Sequence, residues 1–435
     1  MTSFYRVLFR RGPPILIAPK QFSRQASLAG ATVALSMAAY NSTVTVGPPR
    51  AKEAKEFEAH HVKNRRGETV GFRNPHPSFA FPERRVLASM IFKSYLGLMH
   101  WPKPKLQDKL IPVVTPQFLP TRTSSSSLRA TWLGHACYYV EYPSGLRVLF
   151  DPVFEDCCAP FSFLGFKRYT EPPCSIADLP FVDAVVISHS HYDHLSYPSV
   201  HEVQKHHPNA HFFVGLGLEK WFKQGGLHNV TELDWWQEAE ITLTPQATKV
   251  ETKADGGSDS ELSGPITAKI HCLPCQHASG RGFLDQNKTL WASWAVISGT
   301  PAKSVWFGGD TGYRAVLEVE EGVDDYGPEY QHLPVCPQFR EIGEKFGSFD
   351  LGLIPIGAYH PRRLFSGVHA NPFDSVGIFQ DTKCKRAMGI HWGTWVLTPE
   401  PVLEPPQLLK EALKRKGIPE TGVFDVCDIG ETREF

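Results

Sequence analysis

From Leu128 onward, apolar residues fall in short runs separated by turn-forming residues, a texture of strands rather than of long helices. Expected strands are Ala130–Leu133, Tyr138–Glu141, Val148–Phe150, Ala184–Ile187, His211–Val214, Ile270–Leu273, Trp294–Ile297, Val305–Phe307, Leu351–Ile356 and Ala387–Ile390. Helices are expected at Pro198–His206, Leu218–Gln224, Phe339–Lys345, Pro372–Gln380 and Pro406–Lys416. Strands and helices that mix without strict βαβ alternation predict a layered α/β fold with largely antiparallel or mixed sheets. Upstream, Arg84–His100 sets Leu87, Met90, Ile91, Tyr95, Leu96 and Met99 on one helical face. Such a face covers a core or, with Trp101 and the flanking basic residues, meets a membrane surface. Phe72–Phe81 carries Pro75 and Pro77 and is followed by Pro82, so it is extended. Thr252–Gly264, rich in Gly, Ser and Asp, and the acidic Glu318–Gln331 are expected surface insertions.

With 435 residues and 42% hydrophobic content, the chain buries a core of one large or two ordinary domains. Its 45 basic residues balance 45 acidic ones, which argues against a general nucleic-acid binder. The balance hides an asymmetry: residues 1–52 hold seven Lys/Arg and no acid, leaving 38 basic against 45 acidic beyond them, a net of −7. Arg6, Arg10, Arg11, Lys20 and Arg24 among Ser, Ala and apolar residues fit a mitochondrial transit peptide, with maturation expected between Gln25 and Glu53. The alternative is an ordinary flexible tail. Residues 25–49 are uncharged and long enough to span a bilayer, but their Ala, Ser, Thr and Gly content favours insertion only weakly. The expected organisation is therefore a targeting tail at 1–52, a linker and N-terminal extension with an amphipathic helix at 53–127, and a catalytic domain at 128–435. Nine scattered cysteines, odd in number, do not make a disulfide framework, and Cys272 and Cys275 lack the second pair that a structural zinc site needs.

The chemistry is concentrated in His189-Ser-His191-Tyr-Asp193-His194, directly after the strand Ala184–Ile187. Imidazoles and a carboxylate at this spacing are nitrogen and oxygen ligands for zinc or a neighbouring borderline metal. His189 and His191 can converge on one ion while Asp193 and His194 face a second. His277, Asp310 and His391 each sit just past the end of another apolar strand, where open sheets place their sites. Together these seven are the ligands that two neighbouring ions require, and Asp310 is the natural bridge because each carboxylate oxygen can bind a separate ion. A water between two such ions loses its proton near neutral pH and attacks a phosphoryl or carbonyl centre. No Gly-x-Ser-x-Gly and no P-loop is present, so serine hydrolase and NTPase readings fall away.

The motif with its later His, Asp and His resembles the metallo-β-lactamase superfamily, which implies a four-layer αβ/βα sandwich. More narrowly, the chain resembles the N-acyl-phosphatidylethanolamine-hydrolysing phospholipases D. Thr131-Trp-Leu-Gly-His135, Leu149-Phe-Asp-Pro152, Glu232-Leu-Asp-Trp-Trp236, Asn287-Lys-Thr-Leu-Trp291, Gly308-Gly-Asp-Thr-Gly-Tyr313, Ile354-Pro-Ile-Gly-Ala-Tyr359 and Ile390-His-Trp-Gly-Thr394 carry that likeness. It implies one zinc held by His189, His191 and His277, another by Asp193, His194 and His391, and Asp310 between them, with Asp193 and Asp310 taking part in catalysis. It also implies that Tyr192 and His369 contact the phospholipid, that His135 supports the site without ligating, and that the protein is a homodimer. At His360 and Asn371 the chain departs from the pattern, which carries acidic residues there, and the change predicts a less negative mouth.

The reading that follows is a zinc-dependent phosphodiesterase at a mitochondrial, membrane-associated location, with the inner membrane expected. It would take a membrane phospholipid as substrate and no nucleic acid. The alternatives are a hydrolase of another ester, lactone or phosphodiester using the same metals, and a metal-loaded scaffold without turnover.

Overall fold

Two mixed sheets carry the molecule, and each is antiparallel in one half and parallel in the other. The first runs in the order Thr432–Glu434, Arg129–Gly134, Cys137–Glu141, Arg147–Phe150, Ala184–Val186, His211–Gly215, Val230–Leu233, and turns parallel from Arg147–Phe150 onward. The second runs Tyr40–Val46, Glu238–Pro245, Ile266–Leu273, Ser293–Ser298, Lys303–Phe307, Phe349–Pro355, Cys384–Ile390, Phe424–Asp425, and turns parallel from Lys303–Phe307 onward. The computed structural model describes residues 40–48, 59–80, 84–122, 125–159, 166–246, 264–282, 284–316, 319 and 322–435, all within the unit Ala39–Phe435.

Burial explains which runs the hydrophobic pattern exposed. Ala184–Val186 and Leu351–Pro355 are covered on both faces and read as continuous apolar stretches. Glu238–Pro245 alternates instead, with Ala239, Ile241 and Leu243 buried between outward-facing polar residues. Its glutamates and threonines hide the strand from a search for apolar runs.

Helices cover the outer faces. Val200 and Val203 of Tyr197–His206 and Phe222 of Glu219–Gln224 pack with Leu149, Val185 and Phe212 of the first sheet. Pro372–Asp381 lies against Phe349–Pro355 and Cys384–Ile390 of the second sheet, with Gln338–Phe346 and Glu404–Arg415 beside it. Between the sheets, Phe150 meets Phe307 at 4.9 Å and the Tyr142 hydroxyl donates to Val296 O at 3.1 Å. The result is the expected four-layer α/β sandwich. Ser196 and Asn371 start two of its helices by accepting from the backbone N–H of Ser199 and Asp374.

Three expectations change. Tyr40–Val46, inside the stretch expected to be a tail, is a seven-residue strand paired along its whole length with Glu238–Pro245. Small uncharged residues suit an edge strand as well as a tail, and only the partner strand decides. The catalytic unit likewise reaches upstream of residue 128. A hairpin of His61–Lys63 and Thr69–Phe72 leads into a segment that bonds the body through Phe72 N to Asn287 O at 2.8 Å and Ser78 Oγ to Gln276 Oε1 at 2.6 Å. The amphipathic helix ends at Tyr95 rather than His100. Gly97 at φ +67° closes it, and Leu98 N–H donates back to Lys93 O, a glycine-dependent helix stop.

Of the two expected insertions, 252–263 lies outside the described residues. The acidic one is not merely surface: Asp325 is buried and paired with Arg362 at 2.9 Å, and the Tyr326 hydroxyl donates to Asp374 Oδ1 at 2.6 Å.

Candidate metal centre

All seven expected ligands emerge just beyond strand ends on one rim of the sandwich. His189, His191, Asp193 and His194 follow Ala184–Val186; His277 follows Ile266–Leu273; Asp310 follows Lys303–Phe307; His391 follows Cys384–Ile390. The turns that aim them are tight. His391 itself sits at φ +63°, His135 at +52° and Asp151 at +37°, backbone states that L-residues adopt at a cost and that recur at functional sites. Gly309, at φ +56°, approaches Ser188 so closely that a Cβ would lie 2.5 Å from the serine Cβ. Only glycine brings Asp310 next to the histidine loop.

The structure brings these donors together. The candidate donor atoms of His189, His191 and His277 lie within 4.8 Å of one another, as do those of His135, Asp193, His194 and His391. Asp310 stands between the two groups: its Oδ1 is 3.0 Å from His391 Nε2, and its Oδ2 is 3.2 Å from His194 Nε2 and 3.6 Å from His277 Nε2. His369 joins them, its Nδ1 3.9 Å from Asp310 Oδ2. Tyr192 is on the rim, half-buried, with its ring 3.9 Å beneath the Arg281 guanidinium, which donates to Ser190 O and Leu195 O of the metal loop.

Partners on the far side of each ring set its direction. His194 Nδ1 donates to Asp151 Oδ2 at 2.6 Å, and Asp151 also accepts from Ser188 N and Oγ. His277 Nδ1 donates to Val368 O at 2.8 Å, which leaves its Nε2 facing Asp310. Such outer contacts choose the tautomer and aim the free nitrogen at the ion. Asn74 Nδ2 donates to His277 O at 2.7 Å, so the N-terminal segment braces this histidine. His135 Nε2 faces Asp193 Oδ2 at 3.1 Å, a supporting position beside that carboxylate. Asp151 stands within a motif quoted for its likeness, Asn74 lies in Phe72-Arg-Asn-Pro where that likeness begins, and Val368 precedes His369 in Val-His-Ala-Asn-Pro; the sequence did not show that Asn74 and Val368 meet His277. Asp151 also follows a strand end, as the seven expected ligands do.

Electrostatics divides the imidazoles. Burial, with neighbouring imidazoles adding to it, pushes His189 and His277 well below the usual value. Burial and the nearby His391 drive His135 down to about 3. Burial also opposes charge on His391 and His194, yet Asp310 and Asp193 overcome it, raising His391 to about 9 and His194 well above its ordinary value. The same attraction holds the buried Asp193 and Asp310 carboxyls well below theirs.

These residues fit a pair of divalent ions. His194 Nε2, Asp310 Oδ1 and His369 Nδ1 are buried and make no hydrogen bond. Buried polar atoms without partners are costly unless something else binds them. Crowded imidazole nitrogens around carboxylates are the donor set of zinc-type sites. Among the described residues no cysteine joins such a group, and Cys272 and Cys275 are buried thiols with raised pKa values.

Asn371 does not set the charge of the mouth as expected. It is buried, and its Oδ1 is occupied by Asp374 N and the Tyr326 hydroxyl.

The family model described as a beta-lactamase superfamily domain matches residues 146–392. An N-acyl-phosphatidylethanolamine-hydrolyzing phospholipase D of Caenorhabditis elegans is 37% identical over 318 residues, 72% of this chain and 77% of that one. The chain belongs to this phospholipase D family of the beta-lactamase superfamily. Like its relatives in that family, it is a metal-dependent hydrolase. An uncharacterized protein of Mycobacterium tuberculosis is 35% identical over 69% of this chain and 68% of its own length. A Saccharomyces cerevisiae relative, named as the mitochondrial N-acyl-phosphatidylethanolamine-hydrolyzing phospholipase D, is 32% identical over 70% of this chain and 55% of its own length.

Proposed function

We propose that the protein is a zinc-dependent phosphodiesterase that hydrolyses N-acyl-phosphatidylethanolamine to N-acylethanolamine and phosphatidic acid. The observation that carries this reading is Asp310 facing both imidazole groups, one oxygen toward His391 and the other toward His194 and His277. His189, His191 and His277 would hold one zinc, Asp193, His194 and His391 the other, and Asp310 both. When bound, two such ions activate water near neutral pH and stabilise charge on a phosphoryl centre. The chain's own groups do the rest. Asp151 and Val368 O orient His194 and His277, and His135 orients Asp193. His369 and Tyr192 offer an imidazole N–H and a phenol to the phosphate oxygens.

A two-chain lipid must reach this rim from a bilayer. Phe92, Leu96 and Leu98 are 62%, 49% and 69% exposed on and just after the helix Arg84–Tyr95, and they offer an apolar contact to a membrane surface. Among the described residues no helix is long and apolar enough to cross a membrane. The acid-free, Arg-bearing N-terminus and the mitochondrial name of the yeast relative support a mitochondrial location.

The test is product identification by mass spectrometry with the purified full chain and vesicles containing N-acyl-phosphatidylethanolamine. Equal amounts of N-acylethanolamine and phosphatidic acid are expected. Release of free fatty acid, or hydrolysis only of simple esters and lactones by the metal-loaded protein, would overturn the reading.

A further inference from the structure

A second group of metal-ligating side chains shares no residue with the centre described above. His60 and His61 point their Nε2 atoms at different oxygens of Asp234, 2.7 Å from Oδ1 and 2.8 Å from Oδ2. The three donor atoms all lie within 4.8 Å of one another. Both rings are fixed from behind. Thr69 Oγ1 meets His61 Nδ1 at 2.9 Å, and the Trp235 ring stacks on His60 at 4.3 Å. The edge of the cluster is open on the carboxylate side, where the Asp234 side chain is 20% exposed against 3% for His60 and 8% for His61. The donor spacing repeats that of the main centre, where His189 Nε2 and His191 Nδ1 are 2.8 Å apart and His391 Nε2 lies 3.0 Å from Asp310 Oδ1.

We infer that His60, His61 and Asp234 form a further metal site, for a divalent ion of the zinc type. Two imidazoles and one carboxylate supply three ligands, and water completes a tetrahedron. The ion would take the place of the Nε2–H contacts: each neutral imidazole would ligate through Nε2 and carry its one proton on Nδ1, where Thr69 Oγ1 accepts it from His61. Its role is structural. It joins residues 174 positions apart in sequence, the kind of long closure that most restricts an unfolded chain. The strap it pins runs on through Phe72 to Asn74, which holds the backbone of His277.

The inference is independent of the substrate, and metal counting tests it. The full chain is purified with zinc, desalted and measured by elemental mass spectrometry. Three equivalents per chain are expected for the wild type and two for Asp234→Asn and for His61→Ala. Cobalt added to the two-zinc His61→Ala protein should give no new tetrahedral absorption, whereas the wild type stripped of its most labile equivalent should regain one. Two equivalents in all three proteins would mean that the cluster is a hydrogen-bonded clamp alone. Three in all of them would place the extra ion elsewhere, and either result overturns the site. If Asp234→Asn fails to fold, the half-buried His61 position still carries the comparison.

Discussion

Asp151 accepts the Nδ1 proton of His194 at 2.6 Å, and this contact turns His194 Nε2 toward the Asp310 carboxylate 3.2 Å away. Asp151 uses both oxygens, Oδ1 for Ser188 N–H and Oδ2 for His194 Nδ1–H, and an amide, with one oxygen, would turn an N–H toward one of these two donors. Asp151→Asn is therefore expected to weaken metal binding by roughly 10–100-fold, the usual cost of losing such an outer partner. Competition with a chromogenic chelator measures it. Wild-type affinity in the variant would show that Asp151 does not orient this ligand.

Asp310→Asn keeps the shape of the side chain and removes the charge that faces both imidazole groups. Metal occupancy and turnover should fall together. A variant that holds two zincs and works at the wild-type rate would show that Asp310 is no bridge.

Metal binding should depend on pH. In the metal-free chain His391 holds its proton up to about 9, against the opposing effect of burial, because Asp310 and Asp193 attract it; His194 is raised as well. Both must be neutral to ligate, so zinc displaces protons and its affinity rises by about tenfold per pH unit between neutrality and about 9 through His391, and the raised His194 steepens that dependence. The stability of the metal-free fold runs the other way. A raised histidine contributes fully below its unfolded value of about 6.5 and loses that contribution as pH climbs through the folded value. Calorimetric titrations in buffers of different ionisation enthalpy report the proton release. An affinity that is flat with pH would contradict the assignment.

The exposed apolar residues separate membrane contact from chemistry. Full burial of a Phe or Leu is worth about 1.5–3 kcal/mol. Phe92→Asp combined with Leu98→Asp is expected to reduce vesicle binding and hydrolysis of membrane-embedded substrate by at least about tenfold. Hydrolysis of a short-chain monomeric phosphodiester and the melting temperature should hardly change, because both side chains are already mostly in solvent. Equal loss on both substrates would sink the contact.

The N-terminus divides at Tyr40. Residues 1–39 fused to a fluorescent reporter should reach mitochondria, and a cytosolic signal would discard the targeting assignment. Removing residues 1–38 leaves the edge strand in place. Removing residues through Val46 bares the edge of Glu238–Pro245, which invites aggregation. The longer deletion should melt lower and lose soluble yield, while the shorter should match the full chain. Identical behaviour of the two would mean that the strand contributes nothing.

What could be read from the chain was local. His189, His191, Asp193 and His194 lie within six residues, so their spacing alone announces metal chemistry. His277, Asp310 and His391 follow apolar runs whose ends mark the rim of a sheet. Parallel strands such as Ala184–Val186 were visible because burial on both faces demands unbroken apolar sequence.

Contacts between distant residues leave no such trace. Tyr40–Val46 reads as a tail until Glu238–Pro245 supplies its hydrogen bonds, and Asn74 lies 203 positions from the histidine whose carbonyl it holds. His60 and His61 meet Asp234 only because a hairpin folds back on the second sheet's approach loop. Backbone hydrogen bonds and ring orientation are decided by which surfaces pack together. Residue types set the ligands and the alternation of strands, and packing chose the partners that aim them.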